Sequence, residues 1–342
     1  MANRPQIKAS LPPGLVVRLG KTVWHTMWQI MMAKLAPTDD AGAYTRPASE
    51  FRQWVQAGSQ YPPAANRYRL IVGMGCPWAH RTLVTRALKG LEATIPIWRV
   101  SPSPNEGVWL FDNPGSEWRS LPELYQTNQT GYTGRSTVPV LWDTQTRAIV
   151  NNESADIIKI LNSAFDEFAE RSDLDLYPAD LQDAIERWND RVYHAINNGV
   201  YRCGFARTQA AYESACTQLF DTLDEIDGHL AHHRYLCGDR LTLADVRLFT
   251  TLFRFDAVYH GLFKCDRQYI REYDCLWPYA RDLYQQPGVA ETCDLDTIRQ
   301  DYYGNLFPLN PGGIIPLGPA PKTWRYPHNR AQLSHPEMGQ TQ

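Results

Sequence analysis

The sequence predicts an α/β domain followed by an all-helical one. Three observations carry this reading: a β-α-β, loop, β-β-α alternation over residues 67–164, helical apolar spacing from Pro178 onward, and a rise in Pro and Gly after Pro308. At 342 residues the chain is long enough for two domains, or for one large domain with extensions. Apolar residues make up 43% and charged residues 21%, a globular balance. A formal net charge of −3 supplies no bulk attraction for nucleic acid. No uncharged run of 18 or more apolar residues predicts a spanning helix.

Residues 1–60 read as an N-terminal extension and coil. The first 38 carry Arg4, Lys8, Arg18, Lys21 and Lys34 and no acid, and residues 14–35 are partly amphipathic. A helix docked on its own protein, an organelle transit peptide and a helix resting on a membrane surface all fit that pattern. A secretion signal does not, because no charged region, short apolar core and cleavage site follow in order.

Residues 61–166 read as the α/β domain. A strand over 67–72 places Tyr68, Leu70 and Val72 on one face. A helix over 78–91 follows, with Leu83, Ala87, Leu88 and Leu91 at core spacing, and then a strand over 94–100. Residues 137–142 and 148–150 pair as a hairpin. The helix over 154–165 buries Ile157, Ile158, Leu161 and Phe165. Residues 101–136 read as a long polar loop, functional or disordered.

Residues 178–307 read as helices. Leu181, Ile185, Trp188, Val192 and Ala195 repeat at helical spacing, as do Tyr212, Cys216, Leu219, Leu223, Ile226 and Leu230. A third helix begins at Leu241, where Thr242 and Asp245 make a pair resembling a capping box. Residues 308–342 read as a tail without regular structure.

The chemistry centres on Cys76. It ends a strand and turn, and Pro77 takes the first helical position, where a missing N–H costs nothing. The free N–H groups and dipole of a helix start favour a thiolate over a thiol. The other six of the seven cysteines lack this context, and the odd set contains no C-x-x-C pair. Neither a disulfide framework nor a zinc ribbon fits, and reduced thiols in a cytosol-like compartment are the simplest reading. Ala79 stands where a resolving thiol would, so an oxidised Cys76 needs a small external thiol, for which glutathione is the candidate.

Two further elements suit a tripeptide. If the peptide before Pro139 is cis, the Val138 main chain faces outward to pair with a ligand as an added strand does. An ordinary edge-strand proline fits the same residues. At Asn152-Glu153-Ser154, the Ser154 hydroxyl and helix N–H groups suit a carboxylate and Glu153 suits an ammonium. A plain N-cap needs only Asn152 or Ser154. Eleven Trp and 18 Tyr exceed the needs of a core, so some are expected at a ligand site or interface.

On these residues the chain resembles the glutathione transferases, and more narrowly their Xi class, the glutathionyl-hydroquinone reductases, over roughly residues 43–320. The markers are the stretch 46–52, Cys76-Pro77-Trp78-Ala79-His80-Arg81, the stretch 137–143, Asn151-Asn152-Glu153-Ser154 and the stretch 310–316. The resemblance implies a thioredoxin-like domain followed by an all-helical glutathione-transferase domain, assembled as a homodimer. It implies Cys76 as nucleophile, with Trp109, Arg135, Val138, Glu153 and Ser154 binding glutathione. It also implies Tyr201 as proton donor. Tyr259 and one of Tyr302 and Tyr303, taken as Tyr302, help hold the thiolate.

The implied reaction reduces a glutathionyl-hydroquinone through a Cys76–glutathione mixed disulfide and releases oxidised glutathione. Glutathione is the co-substrate and aromatic quinol conjugates are the partners. No metal, nucleic acid or transmembrane segment is expected, and the adjacent His232 and His233 read as a surface turn. The compartment expected is the cytoplasm, with organelle targeting through the basic extension as the other option. Two alternatives share the fold: an omega-like thioltransferase or dehydroascorbate reductase, and a non-catalytic protein that binds glutathione or aromatic ligands. A serine- or tyrosine-type conjugating transferase is disfavoured by the Cys at the active position.

Overall fold

The structure, a computed structural model, describes residues 12–334 apart from 41, 45–47 and 114–115. Arg4 and Lys8 of the basic extension, and Arg46 and Pro47 of the first motif, lie outside the described residues.

Helix α1 (Pro13–Leu35) precedes the α/β domain and buries Met32 near its end. A five-stranded mixed sheet then forms from β1 (Tyr68–Val72), β2 (Ile97–Pro102), β3 (Trp109–Phe111), β4 (Val140–Asp143) and β5 (Ala148–Asn151), in the order β3-β2-β1-β4-β5. Only β1 and β2 are parallel, with Ile71 opposite Trp98, and the other pairs are antiparallel. A parallel pair needs a crossover, and α2 (Pro77–Lys89) supplies it before ending on Gly90 at φ 65°. Leu70, Ile71, Val140, Leu141 and Trp142 are all buried, as central strands covered on both faces require. Helix α4 (Ser154–Ser163) packs beside α2 and stops two residues short of the expected end.

The stretch 101–136 corrects the expectation of a long loop. Its start pairs β3 with β2, with Trp109 opposite Pro102. Helix α3 (Leu121–Asn128) buries Leu121, Leu124 and Tyr125 in the sheet's core. Trp118, Leu121, Leu124 and Tyr125 do fall at helical spacing, but polar neighbours dilute the pattern. Three residues of β3 are too few to show a period.

The helical domain comprises α5 (Gln182–Val192), α6 (Gly199–Gly204), α7 (Gln209–Leu230), α8 (Leu243–Arg254), α9 (His260–Leu262), α10 (Leu276–Tyr284) and α11 (Leu295–Asn305). Helix α8 starts at Leu243, two residues later than expected. Asp245 accepts the Thr242 N–H at 2.8 Å, as the capping pair predicts. Wide π turns at Tyr193–Asn197 and Phe255–Tyr259 follow α5 and α8. Such turns shift the register of the residues after them and recur at functional sites. Here they precede Tyr201 and end on Tyr259.

The C-terminal tail also differs from expectation. Short 3₁₀ turns form at Pro321–Arg325 and Arg330–Ser334, and Trp324 is buried. Its ring lies 4.6 Å from that of Trp277 and 4.9 Å from that of Phe253. One aromatic anchor therefore fixes a segment whose Pro and Gly content shows only that it is not helical.

Candidate active site

Strand β1 ends in the turn Gly73-Met74-Gly75, and Cys76 is the N-cap of α2 with Pro77 in the first turn. The turn closes through the Cys76 N–H on the Gly73 carbonyl at 3.0 Å, and the helix begins with the His80 N–H on the Cys76 carbonyl at 3.0 Å. Cys76 is half-buried, its Sγ 3.7 Å from the Val138 carbonyl oxygen. The Val138–Pro139 peptide is cis. Both glycines of the turn are required by close approach. A Cβ on Gly73 collides with the Trp109 ring, and one on Gly75 collides with the Asp301 carboxylate.

A cavity of about 890 Å³ opens on the thiol, lined by Cys76, Trp109, Arg135, Val138, Tyr201 and Tyr302 among others. Size and lining suit a tripeptide with a ring attached. Glu153 and Ser154 are not on this wall, whereas their neighbours Ser49, Glu50 and Asn152 are. The Glu153 carboxylate caps α4 by accepting the Ala155 N–H at 3.0 Å and takes the Ser49 hydroxyl at 2.9 Å. The Ser154 hydroxyl is buried within reach of Glu153 and of Arg81 Nη1, 3.4 Å from each.

Three tyrosines from separate elements meet across the cavity from the thiol's domain. The Tyr302 hydroxyl on α11 shares a hydrogen bond of 2.6 Å with Tyr201 on α6 and one of 3.0 Å with Tyr259. Tyr259 is fully buried behind the other two. Burial pushes all three phenols above their usual range, and for Tyr201 the neighbouring phenols and Cys76 push further. At neutral pH the cluster is protonated and able to donate. Tyr303 points away, its hydroxyl beside the Gly261-Leu262 backbone.

Three residues that the motif reading passed over hold this geometry. Arg254, fully buried at the end of α8, donates Nε to the Gly75 carbonyl at 3.0 Å and Nη2 to the Met74 carbonyl at 3.1 Å. Its Nη1 bonds the Thr250 carbonyl and His80 Nδ1, each at 2.9 Å. Burial, then the Arg254 charge, holds His80 well below the usual histidine range, so the ring is neutral. Because Nδ1 must accept from the guanidinium, Nε2 carries the proton toward Thr292 Oγ1 at 2.9 Å. Asp301, beside Tyr302 on α11, accepts the Gly75 N–H at 3.0 Å and lines the cavity. Burial lifts its carboxyl to about 6, against the pull of the Gly75 N–H and Arg254. Of the three, only His80 carried a sequence signal, because it lies inside the Cys76-Pro77-Trp78-Ala79-His80-Arg81 stretch.

A thiol presented at a helix start toward the aromatic wall of a second, helical domain is the arrangement of a cysteine-type glutathione transferase. Residues 75–164 match the family model for the glutathione S-transferase N-terminal domain, and residues 209–284 match that for the C-terminal domain. The chain is 43% identical over 313 residues to the glutathionyl-hydroquinone reductase YqjG of Escherichia coli, covering 87% of this chain and 93% of that one. It is 44% identical over 306 residues to the glutathionyl-hydroquinone reductase PcpF of Sphingobium chlorophenolicum, covering 87% and 95%. Among solved structures, the Xi-class transferase of Natrialba magadii superposes with a TM-score of 0.79 at 48% identity, over 83% of this chain and 90% of that one. The glutathione-bound structure of the Escherichia coli protein gives 0.79 at 43% identity, over 82% and 96%. The chain belongs to the Xi-class glutathione transferases, the family of the glutathionyl-hydroquinone reductases. The resemblance and the two-part fold read from the sequence are borne out.

Proposed function

We propose that this protein reduces glutathionyl-hydroquinones to hydroquinones, with glutathione as the reductant and Cys76 as the nucleophile. The observation that carries the reading is one cavity shared by the Cys76 thiol and the hydroxyls of Tyr201 and Tyr302. In the first step the Cys76 thiolate attacks the glutathionyl sulfur. An S–S bond forms, the aryl C–S bond breaks, and the ring carbon keeps the bonding pair and takes a proton from Tyr201. In the second step a glutathione thiol gives up its proton, which restores Tyr201, and its sulfur attacks the mixed disulfide. The products are oxidised glutathione and the Cys76 thiolate. The sum is conjugate plus glutathione giving hydroquinone plus oxidised glutathione.

The helix start and the nearby Arg254 cation both favour the thiolate. The high proton affinity of Tyr201 is no obstacle, because an aryl carbanion is a far stronger base than a phenolate. Residues 61–166 hold the tripeptide through Trp109, Arg135 and Val138 on the cavity wall, with Glu153 and Ser154 behind it, Glu153 fixing Ser49 and the start of α4. The domain spanning residues 178–307 holds the ring, with Tyr259 and Tyr302 supporting the donor. Glutathione and aromatic quinol conjugates are thus the partners, with a homodimer as the working assembly and the cytoplasm as the compartment.

The test is turnover of a glutathionyl-hydroquinone with glutathione, with mass spectrometry for a glutathione adduct on Cys76. The adduct and turnover should both vanish in Cys76→Ala. Binding without turnover points to a non-catalytic scaffold. Turnover of small mixed disulfides alone points to an omega-like thioltransferase.

A further inference from the structure

Helix α1 is poorly accounted for by the body of the protein. Its 23 residues span about 34 Å, yet it rests on the helical core through Trp28 and Met32, near its C-terminal end. Between residues 15 and 31, helical spacing of 100° per residue puts Leu15, Leu19, Val23, Trp24, Met27 and Ile30 in one apolar arc of roughly 200°, broken only by Gly20 and Thr26. These side chains are in solvent, Val23 at 58% and Ile30 at 60% exposure. Trp24 extends the surface onto Phe307, 6.5 Å away and itself exposed. The opposite strip carries Arg18, Lys21, Thr22, His25 and Gln29. No Asp or Glu occurs anywhere in residues 1–38.

We propose that α1 is an interfacial helix that lays this arc into an anionic lipid surface. The charge pattern selects the occupant. A second copy seated on the arc would leave Arg18 and Lys21, on the opposite strip, with no acid of this segment to pair them. An arc this wide also exceeds the stripe that a helix–helix seam covers. Lipid accepts the whole arc, and the long Arg18 and Lys21 side chains reach back from the polar strip to acidic headgroups. The helix lies on the surface and does not cross it, since no described helix is long and apolar enough to span a membrane.

The test is co-sedimentation of the full chain with vesicles of phosphatidylcholine and phosphatidylserine, and with vesicles of phosphatidylcholine alone. Wild type should pellet with the mixed vesicles, and high salt should weaken it. Replacing two cations in Arg18→Gln/Lys21→Gln should weaken binding roughly thirtyfold, at about 1 kcal/mol per charge. Val23→Glu/Ile30→Glu should abolish it. Both variants should keep wild-type glutathione-dependent turnover, because none of these four residues lines the cavity and all are exposed. The proposal is overturned if wild type stays in the supernatant, or if it pellets equally with neutral vesicles. It is overturned too if the glutamate pair splits a lipid-free oligomer, which assigns the arc to a second copy. Recovery of the chain from cells trimmed after α1 also overturns it, because the helix is then a removable leader.

Discussion

Arg254 Nε donates to the Gly75 carbonyl at 3.0 Å, so a fully buried cation of the helical domain is tied to the turn that presents Cys76. The same guanidinium takes the Met74 carbonyl and His80 Nδ1. Position and charge are therefore delivered together: the turn is fixed from the other domain by a guanidinium that places its charge on the Gly75 carbonyl, one residue from the thiol. Arg254→Met keeps the volume of the stem and removes both effects. Unsatisfied acceptors at Gly75, Met74 and His80 should cost about 2–4 kcal/mol of stability in urea unfolding. The pH midpoint for alkylation of Cys76 should rise. An unchanged midpoint would show that the helix start alone sets the thiolate.

Tyr302 holds two hydroxyl contacts, at 2.6 Å to Tyr201 and 3.0 Å to Tyr259, whereas its neighbour Tyr303 faces the Gly261-Leu262 backbone. Tyr302→Phe breaks both links of the chain and Tyr303→Phe breaks neither. Reduction of a glutathionyl-hydroquinone should fall at least tenfold in the first variant, which loses two hydrogen bonds, and change less than twofold in the second. Similar losses in both would remove the hydroxyl chain from the mechanism.

Tyr201→Phe separates the two catalytic readings. General acid catalysis contributes roughly 10²–10⁴-fold, so kcat for the quinol conjugate should fall by about 10²-fold or more. A small mixed disulfide needs no proton on carbon, and its turnover should stay within a few-fold of wild type. Equal losses on both substrates would point to a thioltransferase whose tyrosines only line the pocket.

Asp301 carries a pH signature. Its carboxyl is lifted to about 6, first by burial, from an ordinary value near 3.8. Between those pH values the folded protein holds a proton that the unfolded chain has released. This group's contribution to stability is therefore highest below about pH 4 and falls as pH rises through about 6. Asp301→Asn keeps an acceptor for the Gly75 N–H and removes the titration. The difference between wild-type and variant unfolding free energies should change across pH 4–6 and be flat above it. A difference that is flat throughout would mean that the carboxyl is not perturbed.

What the sequence revealed follows from the range over which each signal acts. Cys76 was legible because its strand, turn, proline and helix are contiguous. The β4–β5 hairpin and the Thr242–Asp245 cap were legible for the same reason, whereas the pairing of β1 with β4, about 70 residues apart, was not. The tyrosine cluster was not legible from spacing, since Tyr302 lies 101 residues from Tyr201 and 43 from Tyr259, and only the family resemblance joined them. Arg254 is the plainest omission. A cation in the last turn of a helix normally faces solvent and complements the dipole, and nothing local distinguishes one whose partner lies 179 residues away at Gly75. Asp301, 226 residues from its Gly75 N–H, was hidden in the same way.

The tail gives a final test of the same lesson, because a composition that excludes helix does not exclude burial. Trp324 sits among Phe249, Phe253, Trp277 and Tyr284 and is almost wholly out of solvent. Phe253 also packs on the His80 ring at 5.8 Å, and His80 accepts from Arg254. The tail is thereby linked through three side chains to the turn under Cys76. Trp324→Ala leaves a cavity where an indole was and should lower stability by about 3–5 kcal/mol in urea. If that packing steadies the Arg254–His80 pair, the Cys76 alkylation midpoint should move in the same direction as in Arg254→Met. A large stability loss with an unmoved midpoint would confine the tail's role to closing the helical core.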